Sequence, residues 1–220
     1  MVGGVPFIGG RNSRFLYELT VRERLTSILE LGVAHGTATC YMAAALDELG
    51  EGMVTSVDLV EAADRYHPSP EEQLDRAGLT QYVKLVRMQT GYTWFLHDEI
   101  SRLSVGGACR PIYDLAIIDG PKNWTIDGAA FFMVEKVLKP GGWLILDDLR
   151  WTYAEADTRR DATDGITHRS LSEEERAVPH IREIYELLVK QHPSFDGFFV
   201  QNEDWAVARK RRRRLWSPRS

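Results

Sequence analysis

The feature that most constrains this chain is a repeated alternation of short apolar runs with helical stretches, the runs closing on glycine or an acid. Ser27 to Leu31 (SILEL) meets Gly32, while Met53 to Asp58 (MVTSVD), Tyr113 to Asp119 (YDLAIID) and Trp143 to Asp147 (WLILD) each end in aspartate. Tyr82 to Met88 (YVKLVRM) alternates like a further strand. Between them, Ala38–Leu49, Pro70–Ala77, Trp94–Leu103 and Thr125–Leu138 carry helical periodicity. Gly50 and Gly52 stop the first of these helices. Ser69 caps the second, with Pro70 in its first turn, and Lys139-Pro140-Gly141-Gly142 ends the last. Strands that are apolar nearly throughout have no polar face to offer water. Separated by helices, they predict a parallel sheet covered on both sides.

The order changes towards the end. Ser172 to Gln191 reads as one long helix. Gly197–Gln201 and Trp205–Lys210 then flank Asn202-Glu203-Asp204, a hairpin signature. Between Arg150 and Leu171 lies a polar stretch that is long for a structureless loop, so residues 151–171 are expected to form a lid. The expectation is one domain over residues 1–210, followed by a basic tail, 211–220.

Composition narrows the class. A chain of 220 residues, 44% hydrophobic, suits a single soluble domain. No apolar stretch nears the ~20 residues that span a bilayer, and MVGGVPFIGGRNSRF lacks a signal-peptide apolar region. Cys40 and Cys109 do not make a disulfide framework, which fits a cytoplasmic setting. The net charge is -5, but six consecutive cations, Arg209 to Arg214, conceal a remainder of -11. An acidic body argues against a broad nucleic-acid face, and the tail reads as a solvated end.

In parallel sheets, ligands bind outside the carboxyl ends of the strands. The first strand runs into Glu30-Leu31-Gly32-Val33-Ala34-His35-Gly36-Thr37. Gly32 and Gly36 permit a tight turn and a close backbone approach, and the next helix presents its first N–H groups there. Asp58, ending the second strand, suits the two hydroxyls of a ribose. Together these indicate a nucleoside-bearing cofactor. The spacing E-x-G-x-x-x-G is not the dinucleotide pattern G-x-G-x-x-G.

At these residues the chain resembles the class I S-adenosylmethionine-dependent methyltransferases. "LELGVAHGTAT" is similar to their first motif, Asp58 to their second, and "LKPGGWLILDD" to the lead into their fifth strand; the resemblance covers Ser27 to Asp148. It implies a Rossmann-like α/β fold, with a mostly parallel seven-stranded sheet, helices on both faces and a C-terminal antiparallel hairpin. It implies S-adenosyl-L-methionine as cofactor. Gly32, Gly36 and Thr37 would lie at its methionine end with Glu30 supporting the loop. Asp58 would hold the ribose, Gln89 and Thr90 the adenine, and Asp119 would border the cofactor.

Neighbouring strand ends also bring Asp119, Asp147 and Asp148 into one cleft. Three anions so close repel unless a cation sits among them, and an all-oxygen site suits Mg²⁺ or another divalent cation. Here the chain resembles metal-dependent O-methyltransferases of the catechol and caffeoyl-CoA types, which carry a lysine three residues after the first aspartate. "IDGPKNW" has that spacing. Asp148 departs from their asparagine but is similar to the acidic pair of macrocin-type enzymes. The resemblance implies Asp119, Asp147 and Asp148 as metal ligands. It implies Lys122 as the base, its pKa lowered by the cation. The expected acceptor is a hydroxyl of a small molecule, a catechol-like phenol or a natural-product sugar, and a homodimer is compatible with the family.

Other readings stay open. A metal-independent enzyme with a nitrogen or carboxylate acceptor would keep the same cofactor, and an RNA-binding or scaffold protein would keep the fold and use the tail. Trp124, Trp151 and Tyr153 flank the acids and would stack on an acceptor or pack the lid. His35 reads as loop filler, and His168 falls in the lid. Gly9-Gly10-Arg11-Asn12 is expected to precede the first helix and either to fold over the cofactor or to be a plain flexible terminus.

Overall fold

The structure, a computed structural model, describes residues 8–155 and 161–212. Residues 156–160 of the expected lid and 213–220 of the basic tail lie outside the described residues. In chain order the elements are α1 (Gly10–Glu23), β1 (Ser27–Leu31), α2 (Thr37–Leu49), β2 (Met53–Leu59), α3 (Ala62–Arg65) and α4 (Pro70–Ala77). A short 3-10 turn at Thr80–Tyr82 leads to β3 (Val83–Met88) and α5 (Tyr92–Leu103). A small hairpin, β4 (Ser104–Val105) and β5 (Ala108–Cys109), precedes β6 (Tyr113–Ile118), α6 (Trp124–Val137) and β7 (Leu138–Leu146). The chain continues through α7 (Glu173–Ala177), α8 (His180–Glu183) and a π-helical turn at Ile184–Val189 to β8 (Phe195–Gln201) and β9 (Trp205–Lys210).

The main sheet has seven strands in the order β3-β2-β1-β6-β7-β9-β8. The first five are parallel; β9 runs antiparallel to both β7 and β8. This is the expected Rossmann-like architecture with its terminal hairpin. The apolar runs explain it. Ile28, Val54, Leu115, Ile117 and Ile145 face α1 and α2, packing on Leu16, Leu19, Met42 and Leu46. Their neighbours Leu29, Val57, Ala116, Ile118 and Leu144 face the other way, onto Leu96 of α5, Phe131 and Val134 of α6, and Ile181 and Ile184. A period of two with both faces buried yields an unbroken apolar run.

Three local expectations are corrected. The helix expected over Ser172–Gln191 is broken, because Val178 is extended ahead of Pro179, whose ring clashes with a helical predecessor. Lys139-Pro140-Gly141-Gly142 is not a separate stop. It lies inside β7, where Leu138 already pairs with Tyr113 and the register shifts before Trp143 meets Leu115. Gly10, Arg11 and Asn12 form the first turn of α1, with Gly9 as its cap, instead of preceding the helix.

Part of the basic run is structural. Arg209 pairs with Glu23 at 3.0 Å and Lys210 with Glu135 at 2.9 Å, tying β9 to α1 and α6. Cys40 is buried in α2, and Cys109 sits in β5; both are free. No helix among the described residues is long and apolar enough to cross a membrane.

Candidate functional site

The carboxyl edge of the sheet is built by extending the parallel ladder one residue past each strand. Gly32 N–H donates to Val57 O at 2.9 Å, Asp119 N–H to Leu31 O at 2.8 Å, and Asp147 N–H to Ile118 O at 3.1 Å. These bonds set the start of the Gly loop and two of the three candidate ligands in one row. The row is tight. Gly32 has φ +97°, and a Cβ there would overlap the Asp119 carbonyl oxygen, so glycine is required.

The loop after β1 is held from two sides. Asp58 Oδ2 accepts the N–H groups of Val33 at 3.0 Å and Ala34 at 2.9 Å, and its Oδ1 accepts Leu59 N–H at 2.7 Å. Glu30 lies behind the loop, buried, accepting Thr39 Oγ1 at 2.7 Å and Ser56 Oγ at 2.6 Å. Burial pushes its carboxyl up to about 7, against the two hydroxyl bonds, with Asp58 adding to the rise. Glu30 therefore braces α2 and β2 from inside the core. Gly36 caps α2 with φ +75°, and Thr37 follows, buried, its Oγ1 without a hydrogen-bond partner. Gln89 and Thr90 are exposed just past β3. His35 bonds Pro68 O through Nδ1 at 2.9 Å and meets the Tyr66 ring edge-on, so it serves the α3–α4 side of the loop.

The acids beyond β6 and β7 do converge. One oxygen from each of Asp119, Asp147 and Asp148 lies within 4.8 Å of the others. Lys122 is among them. Its ammonium pairs with Asp119 and with Asp148 Oδ2 at 3.2 Å, and its side chain is 2% exposed. Burial alone would lower the lysine pKa, but Asp119, Asp147 and Asp148 together raise it above the ordinary value. The chain's own charges thus do the reverse of what a base needs. The expected lowering requires positive charge that these carboxylates lack. Asp147 is held well above the usual carboxylate range by burial and by Asp119.

Sequence reasoning passed over several residues of this site. Asp204, read only as a turn residue, accepts Asn12 Nδ2 at 3.3 Å. Its carboxyl is pushed up to about 6 by burial and by Asp147 and Asp148. Asn123 caps α6 through Thr125 N–H at 2.9 Å and Ile126 N–H at 3.1 Å, a role its residue type signalled. Tyr92 and Asp127 bond to each other beneath the lysine loop and carried no local signal.

The aromatic residues fall into two groups. Trp151 and Tyr153 meet edge-on at 4.6 Å, and Tyr153 Oη donates to Pro121 O at 3.3 Å, so Tyr153 lines the lysine loop with Trp151 packed against it. Trp124 is turned outward and lines a cavity of about 370 Å³ with Leu171, Val178 and Leu187. Within the expected lid, Thr163 bridges Ser170 and accepts Asn123 Nδ2 at 3.0 Å through its carbonyl oxygen, so the described part is anchored on α6. His168 is in this segment and touches none of the acids.

The family described as methyltransferase domain matches residues 29–149, β1 through the residues after β7. The chain belongs to the methyltransferase-domain family. Solved structures with the same fold include an O-methyltransferase from Bacillus cereus in complex with SAH, at 20% identity and a TM-score of 0.64, covering 94% of this chain and 84% of that one. TomG, an O-methyltransferase from Streptomyces achromogenes involved in tomaymycin synthesis and in complex with SAM, shares 18% identity at a TM-score of 0.63, covering 93% and 82%. SAH-bound PaMTH1, a methyltransferase from Podospora anserina, shares 13% identity at a TM-score of 0.62, covering 93% and 80%. No curated protein matches the chain. Family and fold together bear out the class I methyltransferase expected from the Gly loop and Asp58.

Proposed function

We propose that this methyltransferase moves a methyl group from S-adenosylmethionine to a hydroxyl of a small molecule, at the edge where the Gly loop meets the acids. The residues present suit the cofactor. The α2 N-terminus and the unpartnered, buried Thr37 hydroxyl offer donors to a carboxylate. Asp58, fixed by three backbone N–H groups, retains one lone pair, on Oδ1, for a ribose hydroxyl. Gln89 and Thr90, exposed beyond β3, are proposed to border the adenine, and Asp119 the sulfonium side.

The donor set of Asp119, Asp147 and Asp148 suits a hard divalent cation such as Mg²⁺: three carboxylates, closely grouped, with one lysine among them. When bound, such an ion supplies a Lewis acid that lowers the pKa of an acceptor hydroxyl and orients it. The chain's residues do the rest. The packed edge at Gly32 and Asp119 fixes the two reactants side by side, and alignment of this kind supplies ~7–11 kcal/mol of many barriers. Lys122 Nζ is proposed to take the hydroxyl proton. It does so only when its neighbouring carboxylates are neutralised by other positive charge, because beside bare carboxylates it keeps its own proton.

The observation that carries this reading is the convergence of three acids and one buried lysine beside the glycine of the cofactor loop. It also favours an acceptor with vicinal oxygens, either a catechol-like phenol or a natural-product sugar. The test is methyl transfer from labelled S-adenosylmethionine to a panel of vicinal diols and phenols, with and without EDTA. The expected result is transfer that EDTA abolishes. Transfer only to amines or carboxylates, unaffected by EDTA, would favour a metal-independent enzyme on the same fold.

A further inference from the structure

Lys122 has a conformation its own sequence does not favour. It is a non-glycine residue at φ +63°, a strained left-handed backbone that persists only where its surroundings impose it. The residues that impose it lie on two other elements. Asp127, in the first turn of α6, has a fully buried carboxylate. Its Oδ2 accepts the Asn123 backbone N–H at 2.6 Å, while its own N–H donates back to Asn123 O at 2.9 Å. The Tyr92 hydroxyl, from the start of α5, donates to Asp127 Oδ1. The Tyr92 ring meanwhile closes over Gly120, where any Cβ would overlap the phenol oxygen. The loop Gly120-Pro121-Lys122-Asn123 is thus clamped at both ends, by the tyrosine ring at Gly120 and by the aspartate at Asn123.

A buried carboxylate is an expensive group to keep in the core, and this one is held by the Tyr92 hydroxyl, the Asn123 backbone N–H and the nearby charge of Lys122. A cap from Asn123 alone would suffice to start α6. We propose that Tyr92 and Asp127 are positioning residues: they hold the 120–123 loop so that the Lys122 ammonium reaches Asp119 and Asp148. This rests on the reading of Lys122 as part of the reacting centre, but its test does not. Tyr92 also follows Gln89, Thr90 and Gly91, the three residues after β3. The same clamp therefore joins the Gln89–Thr90 side of the cleft to the acid side.

The test uses the whole protein labelled with ¹³Cε-lysine. The Lys122 resonance is identified by its loss in Lys122→Arg and compared in Tyr92→Phe, Asp127→Asn and Tyr113→Phe. Tyr113→Phe is the matched control. It removes another hydroxyl–carboxylate bond from the same core, Tyr113 to Glu99 at 2.8 Å, whose carboxylate also pairs with Arg102. Loss of a core bond alone would lower the melting temperature in all three variants. Positioning predicts more for Tyr92→Phe and Asp127→Asn: the Lys122 signal moves towards that of solvent-exposed lysines, and the Asn123 amide exchanges at least about tenfold faster, the scale set by losing one charge-assisted bond. Tyr113→Phe should leave both unchanged. If Tyr92→Phe, which keeps the ring and its packing, leaves the Lys122 signal in place, the proposal is wrong whatever Asp127→Asn does. Failure of Lys122 variants to affect methyl transfer would remove the lysine from the chemistry and leave the clamp intact.

Discussion

The loop after β1 and the loop after β6 stand side by side at the carboxyl edge, and an aspartate grips each by its backbone N–H groups. Asp58 holds Val33 and Ala34; Asp127 holds Asn123. The similarity ends there. The first loop reaches its left-handed turns mainly through Gly32 and Gly36, where the backbone pays no steric penalty. It leads into the first N–H groups of α2 and carries little charge. The second forces a lysine into a left-handed turn and concentrates three carboxylates around it. One loop is shaped for a ligand to lie against its backbone, the other for side chains to act. Gly32 is where they touch.

The sharpest way to break this pairing is Gly32→Ala. Its Cβ would overlap the Asp119 carbonyl oxygen at a φ of +97°, so the two loops could not both keep their places. The expected loss is at least about 3 kcal/mol in thermal or urea unfolding, with S-adenosylhomocysteine binding lost as well. A stable variant that still binds would show that the loops are not mechanically joined. Next comes Lys122→Met, which removes the one cation paired with these acids among the described residues. Leaving the buried Asp147 and the part-exposed Asp119 and Asp148 without it should cost about 1–3 kcal/mol near pH 8, less as pH falls and the acids protonate, and added Mg²⁺ should restore part of the loss. An unchanged melting temperature would make the lysine a bystander.

The smallest effect separates the brace of the first loop from the acids of the second. Glu30 has a folded pKa of about 7 against an ordinary 4.5. A raised carboxyl pKa means that the native state prefers the protonated form. The contribution of Glu30 is full below its ordinary pKa and is lost as pH rises through about 7. Glu30→Gln keeps an oxygen for Thr39 and Ser56 and cannot ionise, so it should gain stability on the wild type between about pH 5 and 8. Parallel unfolding curves across that range would contradict a neutral, structural Glu30.

The same contrast explains what could be read in advance. The strands, their parallel pairing and the terminal hairpin followed from apolar period and turn residues. The acids at Asp119 and Asp147 followed from strand ends, because a parallel ladder leaves successive ends in a row. The glycines after β1 are local signals of a local conformation. Tyr92 and Asp127 were not legible: one is an aromatic among many, the other an acid in a helix, and their joint work depends on packing between α5 and α6. The protonation of Lys122 escaped for a related reason, since it turns on a sum of three charges and a burial. The break at Val178-Pro179 was readable and was overridden by the periodicity around it.

Whether the acids form a cation site beside the cofactor loop is read by calorimetry. Mg²⁺ would be titrated into protein saturated with S-adenosylhomocysteine, and into Asp119→Asn and Asp147→Asn treated alike. The expected result is saturable binding in the parent and its loss in both variants, with S-adenosylhomocysteine still held. No Mg²⁺ heat from a parent that holds S-adenosylhomocysteine tightly would contradict it, leaving Lys122 as the site's standing counter-charge and a methyl transfer that needs no metal.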